Sequence, residues 1–320
     1  MVELLVILDG ASEPWDGARP TSLQRARTPA LDALARDGEL ARVRTVPAGL
    51  PAGSEAAIPV LLGSVPDAPV DRAHVEAAAH GIALATDGAW RVDVRDEKGA
   101  RADAAATERA ALALAAAAPG HAVHRLAGHR LLLVGPGAAP AAATAAPHLT
   151  VWSSGAPVPG GLGPETVVVA ARGAAAGLAT LMGATVVVPT GATGTPETDL
   201  AAKASAAVTA LDEGAARVVV HVAGADEAAH VRDAAAKVAF LERADRELVA
   251  PLAAACARAG AVLRVCPDHG CDPATGTHDA DPVPHLRWDG SGGAGTGGRL
   301  TERAVAHLPV DDLTTSLVPA

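Results

Sequence analysis

Lysine is almost missing from this 320-residue chain: of 26 basic residues only Lys98, Lys203 and Lys237 are lysine, and the rest are arginine. Aromatic side chains are nearly as scarce, with four Trp, one Phe and no Tyr. Beside the long Ala, Gly and Pro runs, these deficits read as a bias toward a few residue types. Individual positions therefore carry more information than composition does, and a surviving lysine stands out. A basic excess is also lacking: the formal charge at pH 7 is −10, which argues against a nucleic-acid binder and its basic stripe. Paired cysteines are lacking too. Cys256, Cys266 and Cys271 are odd in number and form no C-x-x-C. A disulfide-stapled module is excluded, and free thiols in a reducing compartment are expected, with metal ligation by cysteine the minor alternative. No apolar run approaches the ~20 residues of a membrane span. The N-terminus reads Met-Val-Glu and moves directly into a strand, without a basic n-region or a signal-type cleavage site, so a cytoplasmic protein is expected. An apolar fraction of 49% against 19% charged residues excludes a disordered tail. The length suits one large domain or two of ordinary size.

What is present has a clear grammar. Leu4-Leu5-Val6-Ile7-Leu8 is a continuous apolar run, as in a central strand covered on both faces, and it ends at Asp9-Gly10. Thr28-Pro29 opens a helix that Gly38 closes, with Leu31, Leu34 and Ala35 as its apolar stripe. A Gly/Pro-rich loop over 46–53 leads to Ser54 at the start of a further helix, 55–62. The far half repeats the pattern: a strand at 185–188, a helix from Thr198 to Leu211, a strand at 217–222, one or two helices from Asp226 to Ala257, and a strand at 261–266 running into Pro267-Asp268-His269. Such alternation predicts an α/β fold, a mostly parallel sheet sandwiched by helices. The middle differs. Short strands at 91–94, 130–134 and 166–171 and an alanine-rich helix at 104–118 lie among Pro/Gly loops. The expected division is a core of 1–69 and 185–320 with a smaller α+β cap of 70–184 inserted into it. The glycine-rich tract 290–298 reads as a flexible loop.

Four clusters end a strand or begin a helix, where an open α/β sheet places its ligands. Asp9 follows the first strand, and taken alone it reads equally as a turn aspartate. Ser54 opens a helix, either as a plain N-cap or as a nucleophile favoured by the helix dipole. Asp226 and His230, at i and i+4, share one helix face and suit one cation or a simple hydrogen bond. Asp268-His269, with His278 nine residues on, is a poor core pair, because a buried unpaired carboxylate is costly and a metal relieves that cost. Together these are three carboxylates, three imidazoles and a hydroxyl. Mixed nitrogen and oxygen donors suit Mn, Zn or Mg, with no soft ligand required. Seven donors are about right for two divalent ions clamping a phosphoryl group.

The set resembles that of the alkaline phosphatase superfamily, and the surrounding words are closer to the archaeal-type 2,3-bisphosphoglycerate-independent phosphoglycerate mutases. The carrying segments are Leu8-Asp9-Gly10, Ala26-Arg27-Thr28-Pro29-Ala30-Leu31-Asp32, Pro51-Ala52-Gly53-Ser54-Glu55-Ala56-Ala57, Thr190-Gly191-Ala192-Thr193-Gly194, Glu197-Thr198-Asp199 with Lys203, Ala225-Asp226-Glu227-Ala228-Ala229-His230, Pro267-Asp268-His269 and His278-Asp279-Ala280-Asp281-Pro282. The resemblance implies that Asp9, Ser54, Asp268 and His269 hold one metal, with Ser54 the phosphate-accepting nucleophile, and that Asp226, His230 and His278 hold the other. It further implies that Lys203 contacts the phosphoryl oxygens and that the reaction is the glycolytic interconversion of 2- and 3-phosphoglycerate. The substrate would be a small phosphorylated acid, with no nucleic-acid or membrane partner; a homo-oligomer is compatible with it.

The cap departs from the family pattern. The family's Gly-Arg-Gly-Pro-Leu-Glu-Ala stretch stands here as Asp71-Arg72-Ala73-His74-Val75-Glu76-Ala77, and Arg91 sits in a Phe-Arg-Cys-Asn slot now reading Trp90-Arg91-Val92-Asp93. Arg72 and Arg91, with Arg130 and His148, are the expected substrate contacts. Between about 158 and 185 a substrate-binding block of the family is reduced to Ala- and Gly-rich sequence. The alternative outcome is therefore a hydrolase acting on a different small phosphate or phosphonate ester. A non-catalytic remnant is disfavoured, since all seven donors and Lys203 are kept.

Overall fold

The computed structural model describes residues 2–84, 88–152, 154–292 and 298–313. Strand β1, Glu3–Leu8, lies in the middle of an eight-stranded sheet. Leu4, Val6 and Leu8 enter one hydrophobic cluster and Leu5 and Ile7 the opposite one. This is why the run is continuously apolar rather than alternating: both faces of the strand are covered. Helices Leu200–Asp212, Ala234–Ala244 and Ala250–Ala259 cover one face, and Ser54–Leu61 and Ala174–Leu181 the other.

The sheet runs in the order β14 (Val310–Asp312), β2 (Glu39–Arg44), β13 (Val283–Trp288), β10 (Val262–Cys266), β1, β9 (Arg217–Val222), β7 (Thr166–Val169) and β8 (Thr185–Val187). It is parallel except where β13 joins β10 and β2, so the expected mostly parallel α/β sheet is what forms. A separate antiparallel sheet contains β4 (Ala122–Arg125), β5 (Arg130–Gly135), β3 (Gly88–Val94) and β6 (Leu149–Val151), with helix Ala104–Ala117 against it. It falls inside the stretch 70–184 expected to form the cap. One strand of that stretch belongs elsewhere: β7 pairs in parallel with both β9 and β8 and is part of the large sheet. Its Pro/Gly-bounded brevity disguised a buried core strand. A two-stranded hairpin, β11 (Gly270–Asp272) with β12 (Thr277–Asp279), follows β10.

Local signals hold with small differences. Helix Pro29–Asp37 has its proline at the first position and Gly38 at its end, but Thr28 makes no side-chain cap. The Asp245 carboxylate takes that role, accepting from the amides of Ala30 and Leu31 at 3.0 and 2.8 Å. The helical stretch after β9 is broken at Arg232, whose φ is +58°. Beyond it Asp233 caps a helix, Ala234–Ala244, that continues through a π-turn, Asp245–Val249, into Ala250–Ala259. Residues 293–297 of the glycine-rich tract lie outside the described residues. Among the described residues no helix is long and apolar enough to cross a membrane.

Candidate metal centre

Three adjacent parallel strands, β10, β1 and β9, end at the same edge of the large sheet. Asp9 follows β1, Asp268 and His269 follow β10, and helix Gly224–His230, which follows β9, carries Asp226 and His230. The chain leaves β1 through Gly10, whose φ is +60°. A Cβ there would lie 2.6 Å from Asp226 Oδ1 and 2.9 Å from its Cα, so only glycine lets the two strand ends close on each other. The amide of Asp226 donates to the Asp9 carbonyl at 3.1 Å, and the amide of Gly10 to Asp268 Oδ1 at 3.0 Å. Ser54 arrives at the N-terminus of its own helix and His278 on β12.

All seven expected donors meet. Ser54 Oγ lies 3.4 Å from both Asp9 oxygens and from His269 Nε2. His269 Nε2 lies 3.3 Å from Asp9 Oδ1 and 3.4 Å from Asp268 Oδ2. On the other side, His230 Nε2 and His278 Nε2 each sit 3.1 Å from an Asp226 oxygen and 2.9 Å from one another. Each of the three imidazoles turns its Nδ1 to a backbone carbonyl: His269 to Gly270 at 3.1 Å, His230 to Gly276 at 2.9 Å and His278 to Ala52 at 3.1 Å. A carbonyl only accepts, so each Nδ1 carries a proton and every Nε2 faces inward, where its lone pair can bind a cation once that nitrogen is deprotonated. Two lone pairs 2.9 Å apart repel unless a positive charge lies between them.

The charges tell the same story. Burial and the Asp226 charge push the Asp9 carboxyl up, but hydrogen bonds from His221 and His269 more than reverse this and hold it far below the ordinary range. Burial likewise opposes ionisation of Asp226, and His230 and His278 overcome it. Asp268 has less relief: burial first, and the Asp9 charge second, push it up to about 6, and its Oδ2 finds no hydrogen-bond partner although the residue is fully buried. Burial works against a charged His269, but Asp268 and Asp9 outweigh it and raise it well above its usual value. Three buried carboxylates with inward-facing imidazoles are a donor set that fits divalent metal.

Lys203, on helix Leu200–Asp212, is fully buried, with Nζ donating to the His221 carbonyl at 3.0 Å. Burial lowers its ammonium to about 8. It lines, with Asp9, Ser54, Asp226, His230 and His278, a cavity of about 640 Å3 that also reaches Arg91 and Arg130 of the four-stranded sheet. Arg72, Arg91 and Arg130 line it as well; His148 does not, being exposed on the turn before β6. None of the three arginines is bare. Arg72 pairs with Glu55 at 2.6 Å and Glu76 at 3.3 Å, Arg91 with Asp93 at 3.0 Å, and Arg130 with Glu227 at 3.5 Å. Arg91 also stacks 4.3 Å above the Trp152 ring.

Sequence reasoning missed three residues here. His221, in the middle of the all-buried strand β9, has Nε2 3.1 Å from Asp9 Oδ2. A polar residue inside a valine run was the available signal. Arg101 reaches Glu227 at 2.5 Å and lines the cavity. Cys271 stands with Asp226, His230 and His278 in a group whose ligand atoms all lie within 4.8 Å of one another.

Over residues 1–305 the chain matches the Metalloenzyme superfamily. The 2,3-bisphosphoglycerate-independent phosphoglycerate mutase of Methanopyrus kandleri is 38% identical over 126 residues, 39% of this chain and 30% of that protein. The protein of the same name from Methanosarcina barkeri is 47% identical over 68 residues, 21% of this chain and 17% of that protein. The match thus spans less than a third of these curated relatives' length. Among solved structures, the PH0037 protein from Pyrococcus horikoshii superposes with a TM-score of 0.79 at 23% identity, covering 98% of this chain and 95% of that one. A cofactor-independent phosphoglycerate mutase from Thermoplasma acidophilum superposes with a TM-score of 0.60 at 19% identity, covering 99% and 97%. At these identities the likeness is one of fold.

Proposed function

The chain belongs to the metalloenzyme superfamily, and from that premise we propose that it is a phosphomutase-type enzyme that moves a phosphoryl group through Ser54, using two divalent cations. Asp9, Ser54, Asp268 and His269 would hold one cation, and Asp226, His230 and His278 the other. When bound, such ions lower the pKa of a nearby hydroxyl and offset the charge of a transferring phosphoryl group. The observation that carries the reading is the meeting of all seven side chains, with Asp9, Ser54, Asp226, His230 and His278 lining one cavity together with Lys203.

The residues divide the work. Ser54 Oγ forms a bond to phosphorus as the substrate's ester bond breaks, and the serine proton ends on the departing alcohol oxygen. Lys203 faces the equatorial phosphoryl oxygens as a compact point charge. The retained acid then presents its other hydroxyl to the phosphoserine, the bond to Ser54 breaks, and Ser54 takes back its proton. Retention is the task of the cavity roof, where Arg72, Arg91 and Arg130 face the bound acid. Since each already holds a carboxylate of the protein, an incoming acid group must share or displace that partner. The default substrate is 3-phosphoglycerate, after the mutases whose segments the chain resembles.

The test is to load the protein with Mn or Zn and supply 3-phosphoglycerate without any bisphosphoglycerate. Formation of 2-phosphoglycerate, with phosphate trapped on Ser54 by mass spectrometry and lost in Ser54→Ala, is the expected result. Free phosphate without isomerisation would turn the reading to a hydrolase. No phosphate on Ser54 with any small phosphate or phosphonate ester would overturn it.

A further inference from the structure

The donors expected at this centre were nitrogen and oxygen, and the three cysteines were expected to be free thiols, with metal ligation the minor alternative. Cys256 and Cys266 fit that expectation, buried in the two hydrophobic clusters that flank the large sheet. Cys271 does not. It is fully buried but belongs to neither cluster, and its Sγ falls in the same group as the inward-facing atoms of Asp226, His230 and His278.

The fold puts it there by register. In the hairpin of β11 and β12, Cys271 is the direct cross-strand partner of His278. Residues directly opposite each other in an antiparallel pair present their side chains on one face, with Cβ atoms ~4.5–5.5 Å apart. Both backbone polar groups of Cys271 are tied down: its amide donates to the Ser12 carbonyl at 2.9 Å, and its carbonyl accepts from Lys237 Nζ at 2.7 Å. Lys237 is one of only three lysines in the chain and is completely buried, and it also reaches the Ser12 carbonyl at 3.2 Å and Glu13 at 3.1 Å. A buried ammonium is an expensive way to fix a loop. Here it joins the segment after β1 to the strand that carries the thiol. The other donors are held with equal care, since His230 and His278 are each locked through Nδ1 to a carbonyl.

We propose that Cys271 is the fourth donor of the Asp226–His230–His278 position and makes that position select a thiophilic divalent cation, zinc or cobalt, over magnesium or manganese. The inference rests on the two-metal reading above and narrows it. One carboxylate, two imidazoles and one thiolate form a four-donor set of the kind tetrahedral zinc takes. Sulfur ligation favours the softer ion, and carboxylate-rich sites favour magnesium or manganese. The Asp9–Ser54–Asp268–His269 position has no sulfur and keeps the harder preference, so the two ions need not be the same element. On binding, the S–H bond breaks, a sulfur–metal bond forms and the proton leaves to solvent.

The test uses the whole protein stripped of metal and titrated with Co(II). The expected result is a near-ultraviolet thiolate-to-cobalt charge-transfer band, present in the unmodified protein and in Cys256→Ala and absent in Cys271→Ser. Zinc affinity in Cys271→Ser should fall by more than the roughly 10–100-fold that loss of an outer hydrogen-bond partner costs a metal site, while manganese affinity at the other position changes little. Cobalt bound with no such band, or a band that survives Cys271→Ser, overturns the inference and leaves the two-metal reading standing. Failure to bind cobalt or zinc at all overturns both.

Discussion

Asp268→Asn should make the metal-free protein more stable while removing its response to metal. In the folded chain the Asp268 carboxyl is fully buried, one oxygen is unpartnered, and burial with the Asp9 charge raises it from 3.8 to about 6. A carboxyl raised on folding costs nothing below its unfolded value, where it is protonated in both states. The cost grows as pH rises from about 4 to about 6 and is full above that. The full penalty is about 3 kcal/mol. At an unfolding entropy of ~2.1 cal/mol/K per residue, 3 kcal/mol moves the midpoint of a 320-residue chain by about 4–5 °C. Asparagine keeps an oxygen for the amides of Gly10 and His269, which donate to Oδ1 at 3.0 and 2.9 Å, and removes the charge. Thermal denaturation in chelator should therefore show the variant melting several degrees above the unmodified chain at pH 7, the gap closing toward pH 4. Added zinc or manganese should then raise the unmodified chain past the variant, because a ligand that binds only the folded state stabilises it by mass action. A variant that melts at or below the unmodified chain in chelator at pH 7, or a gap that does not depend on pH, would refute the reasoning.

Burial lowers the Lys203 ammonium to about 8, so turnover should fall as pH rises through about 8 and that charge is lost. Lys203→Arg should move the alkaline limb upward, and an unmoved limb would dissociate it from Lys203. Gly10→Ala combines a left-handed backbone, ~1–2 kcal/mol, with a contact against Asp226 that overpacking data put at ~1–3 kcal/mol. Urea denaturation should show that loss, and calorimetry should show weakened metal binding as Asp226 is displaced. Arg72→Ala strands Glu55 and leaves the almost fully buried Glu76 with Arg91 alone, at 3.5 Å, and the loss should be ~3–5 kcal/mol by urea denaturation; a change under ~1 kcal/mol, the size of a surface pair, would mean the cluster is solvated.

Much of this centre was legible because its donors are poor core residues in places where strands stop. Asp9, Asp268 and His269 lie directly after buried parallel strands and Asp226 in the first turn of the helix after another, so chain direction aims them at one edge. His221 was hidden because it sits within a strand rather than beyond it, and only the pairing of β9 with β1 brings it to Asp9. Cys271 was hidden because its partner is set by hairpin register, which no local spacing encodes. The arginines were found, but not their carboxylates: Glu55, Glu76, Asp93 and Glu227 come from other elements, and the neutralised cavity roof is a tertiary fact. His148, chosen by position alone, turned out to lie on the surface. β7 was placed in the cap because a four-residue strand carries too little pattern to reveal which sheet it joins.

The donors of the centre run from residue 9 to residue 278, and the first and the last are both needed to complete it. On the two-metal reading proposed above, therefore, the emerging polypeptide cannot assemble both cation sites until His278 has left the ribosome. Asp9 waits on the strand neighbours that flank it, both of which are made in the last third of the chain. On that reading, a product that ends before His278 would be recognisable by its failure to retain both cations.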